Sequence, residues 1–300
     1  MSRFSFLLLL LLPLSACYQQ QPPPKRYMAN GALLATRFST MEELQKVVTI
    51  EYKKSGTPTV YLSHKSNNHQ VNSVLESGIS EKDLKAVRKG GLSGKIWLLF
   101  NSPYAVIHRN DLLRVYNLLR RTDSVFGEGD IAFFDFATTM LRHISDHDKA
   151  QIDAKALTEK GYINTFNHVT SQALTTSIFS EKLADFIADI HERASMPELI
   201  TGVFSEKQMK DLEKGPIDNY VDIINNEWGQ EMGKELRQKY RIDRHTLWTP
   251  ELLAHYMNDL QLYFAQVFQI GFVPFRPSDE IIQKFTHKLN RIIEDPSGLQ

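Results

Sequence analysis

The sequence predicts a mainly α protein: a multi-helix globular domain preceded by a smaller N-terminal part that contains a short β element. Two observations predict this class. After residue 130, apolar residues recur at helical spacing almost throughout, in segments separated by helix caps, glycines and prolines. Before residue 127, the helical segments are interrupted by the run Thr59-Val60-Tyr61-Leu62-Ser63, which looks like a short strand.

The first sixteen residues have the composition of a secretory signal peptide. Arg3 supplies the positive start, an apolar block from Phe4 to Leu12 follows, and small residues precede Cys17. The block is too short to span a bilayer, which needs about 20 apolar residues. Leu14-Ser15-Ala16-Cys17 resembles the bacterial lipobox, which implies cleavage before Cys17 and attachment of acyl chains to that cysteine. An ordinary signal peptide with a chance cysteine is the alternative.

The resemblance to lipoproteins also implies a location. Tyr18 follows the cysteine, whereas an aspartate at that place tends to retain enterobacterial lipoproteins in the inner membrane. We therefore expect a lipid anchor in the outer membrane, with the outer leaflet of the inner membrane as second choice. Residues 17–27 form a proline- and glutamine-rich tether, which holds the body away from the lipid. Cys17 is the only cysteine, so no disulfide forms within the chain.

The charge balance limits the possible partners, and two glycines indicate a domain boundary. The 35 basic residues balance the 35 acidic ones, and no basic stripe is present, which argues against a nucleic-acid partner. Gly127 and Gly129 make a break that predicts an α or α+β part over residues 28–126 and an all-α domain over 127–300. One continuous helical domain is the alternative. The expected partners are the membrane, through the anchor, and an envelope or secretion-system protein.

The N-terminal elements follow from local signals. Ser39-Thr40-Met41 caps a helix that we expect to continue to about Tyr52 and to end at Gly56 and Pro58. A second helix starts at Ser80 and stops at Gly90. Residues 95–100 form an apolar run, either a strand or a buried helical turn, and residues 110–121 are helical.

The C-terminal part contains a series of helices with clear ends. Thr249 is an N-cap followed by Pro250 at the first helical position. Apolar spacing and breakers predict helices over residues 131–144, 163–179, 181–193, 205–214, 218–240, 250–269 and from 278 to before Pro296.

Three of these helices carry polar residues of the types that ligate metals or move protons. They are Asn164 and His168 on the first, His191 and Glu192 on the second, and Asp222, Asn225 and Asn226 on the third. Gly229 follows one turn later on the third helix, where the missing side chain lets something approach the backbone closely. The third set and Gly229 are spaced i, i+3, i+4, i+7 and share one helix face. His168, His191, Glu192 and Asp222 would suit a divalent metal such as zinc or manganese. Asn225 and Asn226 would orient water or substrate, and Glu192 could instead act as a general base.

The alternative for this set is a purely structural polar network. His168 would then be a satisfied core histidine, and the asparagines would hold helices and loops together. Two functions therefore stay open. The first, slightly favoured, is a non-catalytic lipoprotein that supports envelope or secretion-system assembly. The second is a metal-dependent envelope hydrolase.

The order of these motifs also carries a resemblance. A histidine, a His-Glu pair and an Asp-x-x-Asn-Asn-x-x-Gly helix resemble a signature of uncharacterised helical domains in bacterial secreted and toxin-associated proteins. The resemblance covers residues 125–235 and implies no particular activity. A fainter likeness is to helical metal-dependent phosphohydrolases with His, His-Asp and Asp ligands. The chain departs from that pattern at Glu192, where those enzymes have aspartate.

Overall fold

The computed structural model describes residues 31–66, 69–212 and 215–294. The predicted signal peptide, Cys17 and the tether lie outside these residues. As predicted, the described chain is mainly α, with a small antiparallel sheet near its N-terminus. The strands are β1 (Val48–Lys53), β2 (Thr59–Ser66) and β3 (His69–Glu76).

Helices make up most of the remaining described chain. Those of the N-terminal part are α1 (Met41–Gln45), α2 (Glu81–Lys89), α3 (Leu92–Asn101), α4 (Pro103–Ile107), α5 (Arg109–Leu118) and α6 (Asp123–Phe126). Those after it are α7 (Phe133–His143), α8 (Asp146–Lys149), α9 (Asn164–Ile178), α10 (Glu181–Glu192), α11 (Glu198–Thr201), α12 (Glu206–Lys210), α13 (Pro216–Tyr240), α14 (Pro250–Phe268) and α15 (Glu280–Glu294).

The sheet differs from the prediction in two ways. The helix that starts at Met41 ends at Gln45 instead of continuing to Tyr52, and the following residues form β1. Val47, Val48, Thr49 and Ile50 are β-branched, and such side chains favour a pleated strand over a helix. The strand pairs with β2, with Ile50 opposite Leu62. The third strand, β3, was not predicted; its alternating burial pattern packs one face on the protein.

The apolar run over residues 95–100 also differs from both alternatives. It is part of α3, a helix in which no residue is buried. By contrast, the helices predicted after residue 130 are present with ends shifted by a few residues. The helix predicted over residues 218–240 begins two residues earlier, because Pro216 occupies its first turn.

Two hydrophobic clusters share α13. The first joins α7, α9, α14 and α15 to the C-terminal half of α13, through residues such as Met232 and Leu236. The second joins the sheet to the N-terminal half, through residues such as Tyr220 and Ile224. Within the described ranges, none of the helices combines the length and apolar character that crossing a bilayer requires.

Candidate metal centre

The close approach of α9 and α13 builds the site. Gly229 lies so near α9 that a Cβ atom there would sit 2.7 Å from the carbonyl oxygen of Val169. One turn later, a Cβ atom on Gly233 would sit 2.6 Å from the carbonyl oxygen of Ala173. Only glycine allows the two backbones to approach this closely. The sequence predicted a close approach at Gly229, and the partner is the neighbouring helix.

The stretch Glu159–Ile163 leads into α9 and is kinked at Gly161, where the backbone angles are not helical (φ −96°, ψ −121°). Within it, a Cβ atom on Gly161 would lie 2.0 Å from the carbonyl oxygen of Ala156, so this position also requires glycine. The kinked stretch ends at Asn164, the first residue of α9, whose side chain contacts Asp222 on α13.

Three predicted ligands converge between α9, α10 and α13. His168, Glu192 and Asp222 each offer one ligand atom, and these atoms all lie within 4.8 Å of one another. The Nε2 atom of His168 is 3.3 Å from Oδ2 of Asp222. Two ligands at about 2.0 Å from a tetrahedral zinc ion stand about 3.3 Å apart. This pair is therefore already spaced as ligands of one such ion.

Asn226 orients the histidine. Its side-chain nitrogen Nδ2 donates to Oε1 of Glu192 at 3.4 Å, which turns its oxygen Oδ1 toward His168. Oδ1 lies 2.9 Å from Nδ1 of His168, so that ring nitrogen carries the proton and donates. In the neutral ring, Nε2 then directs a lone pair at Asp222. A metal-bound histidine commonly donates its other N–H to an oxygen in this way.

The electrostatics of the three groups favour a bound cation. Burial raises the pKa of Glu192 well above its ordinary value, and the carboxyl of Asp222 raises it further. Burial also raises the pKa of Asp222 to about 7, against a partial lowering by the hydrogen bond from Asn164. Burial lowers the pKa of His168. Within the described chain, no lysine or arginine contributes to either carboxyl shift. Two buried carboxyls facing a neutral imidazole therefore need protons or a metal ion.

A third acid, Asp218, lies at the edge of the site and was not singled out from the sequence. The side-chain nitrogen of Asn164 donates to Oδ1 of Asp222 at 2.7 Å and reaches Oδ1 of Asp218 at 3.5 Å. Burial raises the pKa of Asp218 to about 6, and Asp222 adds to this shift. The spacing of the two aspartates, one helical turn apart on α13, is the sequence signal that could have found Asp218.

His191 and Asn225, both named from the sequence, lie outside this group. The ring centroid of His191 is 6.4 Å from that of His168, and its side chain is 61% exposed. Its Nδ1 atom lies 3.5 Å from a carboxylate oxygen of Glu81, at the start of α2. Asn225 instead holds the backbone of Leu33. Its Oδ1 atom accepts a hydrogen bond from the Leu33 N–H at 2.7 Å, and its Nδ2 atom donates to the Leu33 carbonyl oxygen at 3.0 Å. Asn225 thus has the structural role that was the alternative.

Comparison with known proteins adds no relative. The chain matches no protein-family model, and no curated protein and no solved structure matches it. The function is therefore argued from the geometry and chemistry of the site, together with the N-terminal motif.

Proposed function

We propose that this chain is a lipid-anchored protein of the bacterial cell envelope whose helical body binds one divalent metal ion. His168, Glu192 and Asp222 are the proposed ligands, and the role is binding or assembly rather than catalysis. The observation that carries the metal proposal is the convergence of three ligand atoms from three helices within 4.8 Å. An ion held by α9, α10 and α13 would tie together the helices that form the middle of the protein.

The anchor rests on the N-terminal motif, Leu14 to Cys17. Mass spectrometry of the chain purified from a bacterial envelope tests it. We expect a new N-terminus at Cys17 that carries a thioether-linked diacylglyceryl group and an N-acyl chain. The Cys17→Ser variant should lose both modifications and leave the membrane fraction. An unmodified thiol at Cys17, in a chain released into the medium, would contradict the anchor without touching the metal proposal.

A non-catalytic role is supported by the enclosure of the ligands. The side chains of His168 and Asp222 are 12% and 11% exposed, and Glu192 is buried. An ion held by these three side chains would therefore be largely shielded from solvent. Metal binding to such a site is coupled to folding, because the ion binds the assembled ligands and has no comparable site in the unfolded chain.

Metal analysis tests the site directly. After dialysis against zinc or manganese, we expect one ion per chain and a raised melting temperature. His168→Ala and Glu192→Gln should lose the ion, whereas His255→Ala, at an exposed histidine on α14, should keep it. His191→Ala separates the three-ligand set from the four-ligand set predicted from the sequence, since it should keep the ion if three ligands suffice. Absence of a stoichiometric ion in the unmodified chain would overturn the proposal.

A metal-dependent envelope hydrolase is the second candidate, and Asp218 favours it. Three protein ligands leave one coordination position open, as in catalytic zinc sites, where a bound water becomes a nucleophile near neutral pH. Asp218, with its pKa of about 6, would be ionised at neutral pH and could accept a proton from that water. Asn164, between the two aspartates, would hold them in place.

The two candidates differ in what Asp218→Asn does. If the chain is a hydrolase, purified protein loaded with zinc or manganese should cleave a phosphodiester, carboxylester or peptide probe. Asp218→Asn should then retain the ion and lose most of that cleavage. If the ion has only a binding role, the loaded chain should cleave none of the probes, and Asp218→Asn should leave the metal content unchanged.

A further inference from the structure

Two short helices, α3 and α4, expose an unusual amount of apolar surface. Leu92 is 75% exposed, Phe100 is 80% exposed and Ile107 is 76% exposed. Ile96, Trp97 and Leu99 on α3 are each between 42% and 49% exposed. Single exposed apolar residues are ordinary, but five on one ten-residue helix, as on α3, mark a surface that meets a partner or a membrane.

The body of the protein holds these helices in place. Gly94 on α3 lies against α2, where a Cβ atom would be 3.6 Å from the Cα atom of Val87. Ser102 caps α4, and the ring of Tyr104 packs 4.9 Å from that of Phe186 on α10. The apolar side chains of α3 and α4 are thus presented outward from a fixed support.

The sequence segment that contains α3 and α4 is basic, although Asp111 and Asp185 lie near Tyr104 of α4. Between residues 84 and 110 the sequence contains no aspartate or glutamate, although the whole chain has 35 acidic residues against 35 basic ones. The same stretch carries five basic residues: Lys85, Arg88, Lys89, Lys95 and Arg109. A basic segment around exposed aromatic and aliphatic side chains complements an anionic, oily surface.

We propose that α3 and α4 lie in the headgroup region of an anionic lipid bilayer. Their apolar side chains would enter the boundary of the acyl chains, and basic residues such as Lys95 would contact phosphate groups. Each helix is too short to span a membrane, but an interfacial helix needs only to lie in the plane. Trp97 fits this depth, since tryptophan is enriched at membrane–water interfaces. A bilayer accommodates the apolar residues around α3 more readily than a single protein groove would.

Trp97 provides the measurement. It is the exposed tryptophan, whereas Trp228 and Trp248 are 5% and 1% exposed. The test uses the chain from residue 17 with Cys17→Ser, so that no lipid is attached and the result does not depend on the anchor. With vesicles containing phosphatidylglycerol, we expect co-sedimentation, a blue shift of the emission and quenching by brominated acyl chains. Phosphatidylcholine vesicles, or about 0.5 M salt, should weaken binding strongly.

Matched variants decide whether α3 makes the contact. Leu92→Glu combined with Phe100→Glu should weaken vesicle binding by about tenfold or more, because two charges would enter the interface. Ile200→Glu combined with Leu247→Glu makes the same change at two residues outside α3 and α4, which are 79% and 68% exposed. This control should bind as the parent chain does. Circular dichroism and thermal unfolding establish that both variants are folded.

Two outcomes would overturn the proposal. One is that phosphatidylglycerol vesicles bind neither the parent chain nor the control. The other is that the α3 variant binds vesicles as well as the control does. A dimer seen by light scattering, lost only in the α3 variant and accompanied by no vesicle binding, would assign the surface to a second copy of the chain instead.

Discussion

Replacing Asp222 by asparagine should stabilise the metal-free protein at alkaline pH and remove its stabilisation by metal. The asparagine oxygen can still accept from Asn164, and its nitrogen can donate to the free Nε2 atom of His168, so the shape of the site is kept. What disappears is a buried carboxyl that is costly to ionise. Without metal, Asp222→Asn should therefore stabilise the protein at alkaline pH, although it removes a proposed ligand.

The magnitude follows from the pKa of Asp222, which is about 7 in the folded chain against an ordinary value of 3.8. Between these values the folded chain holds a proton that the unfolded chain has lost. The free energy of unfolding therefore falls as pH rises through this window, by up to about 1.4 kcal/mol per pH unit. Summed over about three units, the variant should gain up to about 4 kcal/mol over the parent chain at pH 8, and almost nothing at pH 4.

Urea unfolding at pH 4, 6 and 8, with a chelator or with zinc, measures both effects. Zinc at about 100 times its dissociation constant should stabilise the parent chain by about 2.7 kcal/mol and the variant hardly at all. Glu51→Gln, at an exposed carboxyl on β1, is the control and should show neither effect. The reasoning is refuted if metal-free Asp222→Asn is less stable than the parent chain at pH 8, or if zinc stabilises both equally.

Two further predictions concern stability alone, and both are measured by urea or thermal unfolding. Gly229→Ala should destabilise the protein by about 2 kcal/mol, because its Cβ atom would meet the backbone of α9. As a control, Gly94→Ala lies within a helix and makes ordinary contacts, so it should be neutral or slightly stabilising. Equal effects of the two variants would contradict the packing argument. Lys288 is 1% exposed and donates to Asp130 at 2.7 Å. Lys288→Met should lower the free energy of unfolding by about 3–5 kcal/mol, because it leaves that buried carboxylate without its cation. Lys284→Met, at a 39% exposed lysine one turn earlier, should change stability little.

The helices after residue 130 could be predicted because their signals are local. Thr249 and Pro250, for example, mark the start of α14 without reference to any other part of the chain. The sheet could not be predicted in the same way, because β1 becomes a strand by pairing with β2 across a turn. The acidic first turn at Glu42 and Glu43 does start a helix, but pairing with β2 ends it after Gln45. Long-range pairing of this kind leaves little trace in a short window of sequence.

In the site, the sequence predicted which residue types could bind a metal, but not which way each side chain points. His168, Glu192 and Asp222 were predicted as ligands from their chemistry, and they converge in the fold. His191 was predicted with them, but successive helical residues point about 100° apart, and His191 contacts Glu81 while Glu192 joins the group of three ligand atoms. Which neighbour faces inward depends on how α10 rotates against α9 and α13. Glu81, which contacts His191, comes from a helix more than a hundred positions earlier in the chain.

The length of α13 has a consequence for how the protein unfolds. Its 25 residues extend about 37 Å, and each half is packed into a different hydrophobic cluster. If one cluster unfolded alone, one half of α13 would lose its packing while the other half stayed packed in the second cluster. Heat or denaturant should therefore unfold both clusters in one cooperative transition. The shared helix couples the two, so a destabilising change in either cluster should lower the stability of both.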